Sequence, residues 1–114
     1  KRISGCGAGC EYLSVTPSGD IYPCHQFAGE KNYLMGNVLT DEKPQKDELK
    51  EEFKKRDIYH INGCDKCFSK FYCSGGCAAN SAHFEGNLYE PYKIGCELQR
   101  KRTEVAIAIK AALL

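Results

Sequence analysis

The chain has 114 residues, with eight cysteines, eleven glycines, no tryptophan and a formal net charge of +1. Such a length suits one domain with a modest core, which buries roughly two-thirds of the surface its unfolded chain exposes. The interspersed, nearly balanced charge argues against a nucleic-acid module or a polybasic membrane anchor, so neither nucleic acid nor membrane is expected as a partner.

Residues 6–24 read as a β-hairpin. Residues 12–16 alternate, with Leu13 and Val15 on one face, as a strand requires. Pro17, Ser18, Gly19 and Asp20 supply the turn, proline presetting φ and glycine able to take a left-handed conformation. Residues 21–24 return as the second strand, and Pro23, which cannot donate to a ladder, places that strand at an edge or ends it. The hairpin thereby carries Cys24 back towards Cys6 and Cys10.

Residues 25–40 read as irregular, with a short apolar piece at Tyr33, Leu34 and Met35. Residues 41–57 are charged and helix-favouring. Leu49 and Phe53 lie four apart on a buried face, while Glu48, Lys50, Glu51, Glu52, Lys54 and Lys55 point to solvent. This amphipathic helix is expected to be scaffold. Residues 64–96 form a loop-rich stretch in which Gly75 and Gly76 break the backbone before a short helix over 77–84. Residues 97–113 lack proline and glycine and should form the longest helix, with Leu98, Val105, Ile109 and Ala112 as its buried stripe. That stripe stays partly exposed if its cover belongs to another domain. Phe68, Phe71, Tyr72 and Phe84 crowd the cysteine-rich stretch, as core or as a shield against water. The expected fold is a small, cysteine-rich α+β domain spanning 1–114: an N-terminal β-hairpin, a loop-rich region that carries five of the cysteines, an amphipathic helix and a long C-terminal helix.

Eight cysteines in 114 residues fit either a disulfide scaffold or a metal-binding module. The chain begins at Lys1 without a methionine or a charged-then-apolar leader, which fits a cleaved signal or a cut at a domain boundary. The apolar residues 105–114, interrupted by Lys110, are too short to span a bilayer, which takes roughly 20.

The informative run is Cys64-x2-Cys67-x5-Cys73-x3-Cys77, followed by Cys96. Zinc modules also use C-x2-C pairs, but separate them by about a dozen residues or more; here only five lie between Cys67 and Cys73. A tight trio wraps one small inorganic cluster better than it builds two zinc knuckles. Two-cluster ferredoxins send the last cysteine of such a run to the other cluster. By that analogy Cys64, Cys67 and Cys73 hold one cluster with Cys96, and Cys77 crosses to a second supplied by the N-terminal cysteines. A structural zinc module for protein contacts remains the alternative, with zinc also the metal captured when such a chain is prepared in air.

Cys6-x12-Gly19-x4-Cys24, then Cys64-x2-Cys67-x5-Cys73-x3-Cys77, then Cys96, resembles the SPASM domain of radical S-adenosylmethionine enzymes over nearly the whole chain. The strings Cys6-Gly-Ala-Gly, Glu11-Tyr-Leu-Ser-Val-Thr-Pro-Ser-Gly-Asp and Tyr22-Pro-Cys-His-Gln-Phe look like the maturases that install thioether crosslinks in six-cysteine (SCIFF) ribosomal peptides. The resemblance implies two auxiliary 4Fe–4S clusters, with Cys6, Cys24 and Cys77 on the first and Cys64, Cys67, Cys73 and Cys96 on the second. Cys10 either closes the first cluster as its fourth ligand or leaves one iron open for a substrate thiolate. It further implies a cytoplasmic oxidoreductase whose partners are a cysteine-rich ribosomal precursor peptide and its own N-terminal radical barrel. S-adenosylmethionine and a third 4Fe–4S cluster belong to that barrel. The Cys-x3-Cys-x2-Cys motif that binds them is incomplete here, because Cys6-x3-Cys10 is followed by Leu13, so no catalytic residue is assigned and the chain alone is expected to be inactive.

His25, beside Cys24, is expected to be solvated or bonded to backbone rather than to iron, and His60 and His83 to be structural. No Ser–His–Asp arrangement, activated cysteine or phosphate-binding loop is present in the sequence.

Overall fold

The structure, a computed structural model, describes residues 2–40 and 46–114. The start of the helix expected over 41–57 therefore lies outside the described residues. Contacts cluster into two units: Cys6–Arg56, and the chain start through Gly5 together with Asp57–Leu114. The expected small α+β class is what the chain adopts.

In the first unit, strand β1 (Ser14–Val15) pairs antiparallel with β2 (Asp20–Tyr22), matching Ser14 to Tyr22 and Val15 to Ile21. The hairpin is thus present, with shorter strands than the alternation suggests. Its turn is closed by Gly19 N–H to Thr16 O at 2.9 Å, and Thr16 N–H returns to Asp20 O at 2.9 Å. Gly19 sits at φ +89°, and a Cβ there would lie 2.7 Å from Asn37 Oδ1. Both the backbone conformation and the close approach require glycine.

Two features of residues 25–40 escape the sequence reading. Single 3-10 turns form at His25–Phe27 and Lys31–Tyr33, and a third strand, β3 (Gly36–Asn37), pairs antiparallel with β2. β2 is therefore central rather than at an edge, and Pro23 is tolerated because the strand ends at Tyr22. Asn37 Nδ2 fastens β3 to the hairpin by donating to Asp20 Oδ1 (2.9 Å) and Ser18 O (3.1 Å).

Helix α1 (Lys46–Lys54) buries Leu49 and Phe53 and exposes the charged side chains between them, as the spacing predicts. Phe53 meets Phe27 edge-on at 5.6 Å and Tyr33 at 6.3 Å, and Phe27 and Tyr33 stack tilted at 4.2 Å. With buried Met35 and Tyr22, these rings form the core of the unit.

In the second unit, the core is Ile58, Ile61, Ala78, Ala79 and Leu88, with Ser69, Ser74 and Ser81 buried among the polar residues. Its helices are α2 (Lys70–Cys73), α3 (Ala78–Glu85) and α4 (Lys93–Ala112). The chain start is sewn in by Ile58 N–H to Ile3 O (2.9 Å) and Ser74 Oγ to Arg2 O (3.1 Å). α3 stops at Gly86, whose φ of +85° gives the left-handed cap.

Three expectations need correction. The long helix begins at Lys93 rather than at 97, so Gly95 and Cys96 lie in its first turn. Tyr92 is extended after Pro91, and Glu85 Oε1 accepts the Lys93 N–H at 3.2 Å. A carboxylate there satisfies an orphan donor and complements the helix dipole. The stripe of Leu98, Val105 and Ile109 is exposed, and Thr103 is the one buried residue of α4. Periodicity identifies a face but not whether anything covers it. Phe68, Phe71, Tyr72 and Phe84 are likewise exposed and form no part of the core. The small aliphatic and hydroxyl side chains of α3 and its approaches fill that role. Among the described residues no helix is long and apolar enough to cross a membrane.

Phe53→Ala should cost about 3–5 kcal/mol, a large share of the roughly 5–15 kcal/mol expected for a domain. Urea denaturation followed by circular dichroism would read this as a large drop in midpoint.

Candidate metal centre

None of the eight cysteines is joined in a disulfide. Five belong to the second unit, and the backbone there determines how they face. Gly63, at φ +75°, enters a single 3-10 turn over Cys64–Lys66, and Cys67 N–H donates to Cys64 O at 3.1 Å. The C-x2-C pair is therefore the two ends of one turn. α2 follows at once, with Cys73 N–H on Ser69 O at 2.9 Å, so the five-residue spacer is a turn plus a helical turn that neither sequence periodicity nor propensity announces.

Ser74, Gly75 and Gly76 then take φ of 57°, 91° and 67°. Three successive left-handed residues reverse the chain between Cys73 and Cys77. Serine is uncommon in this region; Ser74 is buried, its N–H donates to Lys70 O at 2.8 Å and its hydroxyl to Arg2 O. Cys77 is the extended residue that opens α3. Cys96 comes from the first turn of α4, its N–H on Tyr92 O at 3.0 Å.

These segments put Cys64, Cys67, Cys73 and Cys96 on the wall of one cavity of about 120 Å3, completed by Gly63, Ser69, Lys70, Gly75, Pro91 and Arg100 among others. That volume is about four waters' share of liquid, room for a compact inorganic group. Cys77 is not on this wall. It opens on a neighbouring cavity of about 240 Å3 with Gly76, Asn80 and Tyr92, which Cys64, Cys73 and Cys96 also border.

Burial pushes the Cys96 thiol up, Arg100 offsets part of this, and the nearby Cys73 and Cys67 add to the rise. Like groups close together resist joint ionisation, and a bound cation relieves that repulsion. The Ser69 hydroxyl is fully buried and has no hydrogen-bond partner. An orphan of this kind costs about 1–3 kcal/mol, and Ser69 is one of the residues that line the cavity of four thiols. Soft sulfur donors with a hydroxyl left over fit an iron–sulfur cluster, whose sulfurs accept hydrogen bonds. Among the described residues, no three His, Cys, Asp or Glu side chains are grouped so as to hold a single metal ion.

The N-terminal cysteines occupy the first unit. Cys24 is buried two residues after the end of β2, Cys6 is exposed and Cys10 half-buried. Gly9 N–H donates to Pro23 O at 3.0 Å, tying the loop that bears Cys6 and Cys10 to the residue before Cys24. Gly9 itself, at φ +77°, packs its backbone on Phe53, where a Cβ would come within 2.8 Å of the ring. Cys10 Sγ donates to Lys50 O at 3.4 Å, and burial pushes its thiol up against the pull of Lys50 and Lys54.

The SPASM family of iron–sulfur cluster-binding domains matches residues 6–68, more than half of the chain. The chain belongs to that family. Five of its eight cysteines fall inside the match, and Cys73, Cys77 and Cys96 lie beyond it. A mycofactocin maturase MftC of Mycolicibacterium smegmatis is 36% identical over 78 residues, 65% of this chain and 19% of that protein. That of Mycobacterium tuberculosis is 36% identical over 81 residues, 68% of this chain and 20% of that protein. An uncharacterized protein of Archaeoglobus fulgidus is 29% identical over 111 residues, 96% of this chain and 25% of that protein. This SPASM domain thus spans about a quarter or less of the length of these relatives.

Of the histidines, His60 is engaged: its Nδ1 lies 2.8 Å from Asp57 Oδ1. His25 Nδ1 lies 3.5 Å from the Tyr12 hydroxyl, and His83 is exposed on α3. Burial alone would raise the Asp57 carboxyl, but hydrogen bonds from the His60 ring and the Tyr59 and His60 N–H groups outweigh it and hold it below its usual value. A depressed carboxyl contributes stability above its unfolded pKa and loses it as pH falls through the folded one. Asp57→Asn should therefore be less stable than the parent near pH 6. The gap should close as pH falls towards about 3, as read by urea midpoints of the metal-free chain.

Proposed function

We propose that this SPASM domain is the single auxiliary-cluster domain of a cytoplasmic radical S-adenosylmethionine maturase that acts on a ribosomally made, cysteine-rich peptide. The observation that carries the reading is the convergence of Cys64, Cys67, Cys73 and Cys96 on one cavity in a chain of an iron–sulfur family. Cys64, Cys67, Cys73 and Cys96 hold one 4Fe–4S cluster. The resemblance in cysteine spacing carries Cys6, Cys24 and Cys77 to another, with Cys10 as the candidate fourth ligand. The mycofactocin maturases among its relatives support maturation of a peptide. Thioether formation, as in the six-cysteine peptides, rests on the strings around Cys6, Gly19 and Cys24.

Bound clusters of this type supply electron transfer and, where an iron lacks a protein ligand, a place for a thiolate. The residues of the chain do the rest. The left-handed run Ser74–Gly75–Gly76 turns the chain between Cys73 and Cys77, and Cys77 lines the 240 Å3 cavity but not the 120 Å3 one. Pro91 and the glycines bring backbone close to the four thiols without side-chain bulk. Arg100, and Lys70 with its ammonium donating to Asp65 O at 2.6 Å, set positive charge beside them. S-adenosylmethionine cleavage belongs to a barrel domain that carries the complete Cys-x3-Cys-x2-Cys motif, and the chain by itself is inactive.

Anaerobic reconstitution should give about eight irons and about eight sulfides per chain, with the broad visible absorption of cubane clusters. Cys77→Ala should reduce this to about four of each and spare the cluster of the 120 Å3 cavity. Stoichiometric zinc with no stable cluster would instead establish the zinc module, and undiminished iron in Cys77→Ala would remove that residue from the ligands.

A further inference from the structure

Two side-chain hydroxyls among the described residues are buried without a hydrogen-bond partner, Ser14 and Ser69. Ser69 is 1% exposed, sits between Cys67 and α2, and lines the same cavity as the four thiols. Its backbone is committed: its carbonyl accepts from Tyr72 N–H at 3.0 Å and Cys73 N–H at 2.9 Å. Buried hydroxyls are ordinarily hydrogen-bonded, because an unmet one in a dry interior is a net loss. Four cysteine sulfurs are among the acceptors of that cavity, beside the side-chain amides of Asn62 and Gln99. A thiol is a weak acceptor, whereas a thiolate or inorganic sulfide bound to iron carries negative charge and accepts well.

We propose that Ser69 is a positioning and tuning residue whose Oγ–H donates a hydrogen bond to a sulfur of the cluster held by Cys64, Cys67, Cys73 and Cys96. The inference rests on the iron–sulfur reading of that cavity and adds a role for a residue that is not a ligand. A donor at a cluster sulfur stabilises the extra negative charge of the reduced state and so raises the reduction potential. The hydroxyl is thereby unpaired only in the metal-free chain, where its removal should not destabilise the fold.

The test begins with the reconstituted parent chain. If it takes up no cluster, the iron–sulfur reading has failed, before Ser69 is at issue. If it does, Ser69→Ala should retain full iron and sulfide, and one cluster potential should shift to more negative values while the other stays. Pulsed electron paramagnetic resonance of the reduced parent in D2O should show an exchangeable deuteron coupled to one cluster, absent in Ser69→Ala. Ser69→Thr, which keeps the hydroxyl, should bring the potential back towards the parent value. Unchanged potentials together with an unchanged deuteron coupling would overturn the proposal. So would metal-free Ser69→Ala unfolding at clearly lower urea than the metal-free parent, because that would make the hydroxyl structural. The deuteron measurement on the parent needs no variant, and its failure to find an exchangeable coupling to either cluster would equally count against Ser69 as a donor.

Discussion

Four thiols brought to the wall of one cavity make a poor core, and the whole second unit is arranged around that fact. Apolar packing would have drawn these side chains into contact with Ile58, Ile61 and Leu88, the aliphatic residues that form the core. Instead they line about 120 Å3 of space. Ionising several of them there would set like charges close together, a repulsion that a bound cation relieves. The protein accepts this arrangement because backbone geometry, not side-chain packing, fixes where the sulfurs point. Gly63 enters the first turn, the left-handed run at 74–76 ends the second, and the capped start of α4 delivers Cys96.

The same logic explains why so little of this unit's core is large. Its buried residues include two alanines and three serines, small side chains that let turns and short helices approach closely. The larger aromatic residues of the stretch lie outside. The first unit follows the opposite plan. Phe27, Tyr33 and Phe53 interlock there, and a three-stranded sheet with very short strands is held as much by Asn37 and the Thr16–Asp20 loop as by its ladder. One unit is organised by a packed aromatic cluster and the other by a cavity.

Much of this was legible in the residues. The hairpin follows from alternation and turn chemistry, and the buried pair Leu49 and Phe53 from their four-residue spacing. The assignment of cysteines to clusters rests on spacing and family resemblance; Cys64, Cys67, Cys73 and Cys96 share one cavity wall, and Cys64, Cys73 and Cys96 share a second with Cys77. Other parts were not legible, for physical reasons. β3 is two residues long and is held by two backbone bonds that flank it, Met35 N–H to Ile21 O and Val38 N–H to Gly19 O, together with side-chain bonds from Asn37, none of which a local pattern encodes. The start of α4 depends on Glu85, eight residues upstream of the N–H it accepts. Burial of the α4 stripe was inferred from periodicity, which is silent about whether anything lies against it. Ser69 was missed because a serine between two cysteines carries no sequence signal; only its burial and lack of a partner single it out.

The cavity wall is also assembled in a definite order. Three of its thiols, at 64, 67 and 73, lie within ten residues, whereas the fourth is 23 residues further along, on α4. A growing polypeptide therefore exposes an incomplete set of three until the first turn of that helix has been made and folded. Translation proceeds at about 5–20 residues per second, so the interval is on the order of seconds. During it the three leading thiols are open to oxidation and to stray metals. Closure of the site is thus a late event in biosynthesis, timed by the emergence of α4 rather than by the cysteine-rich loop itself.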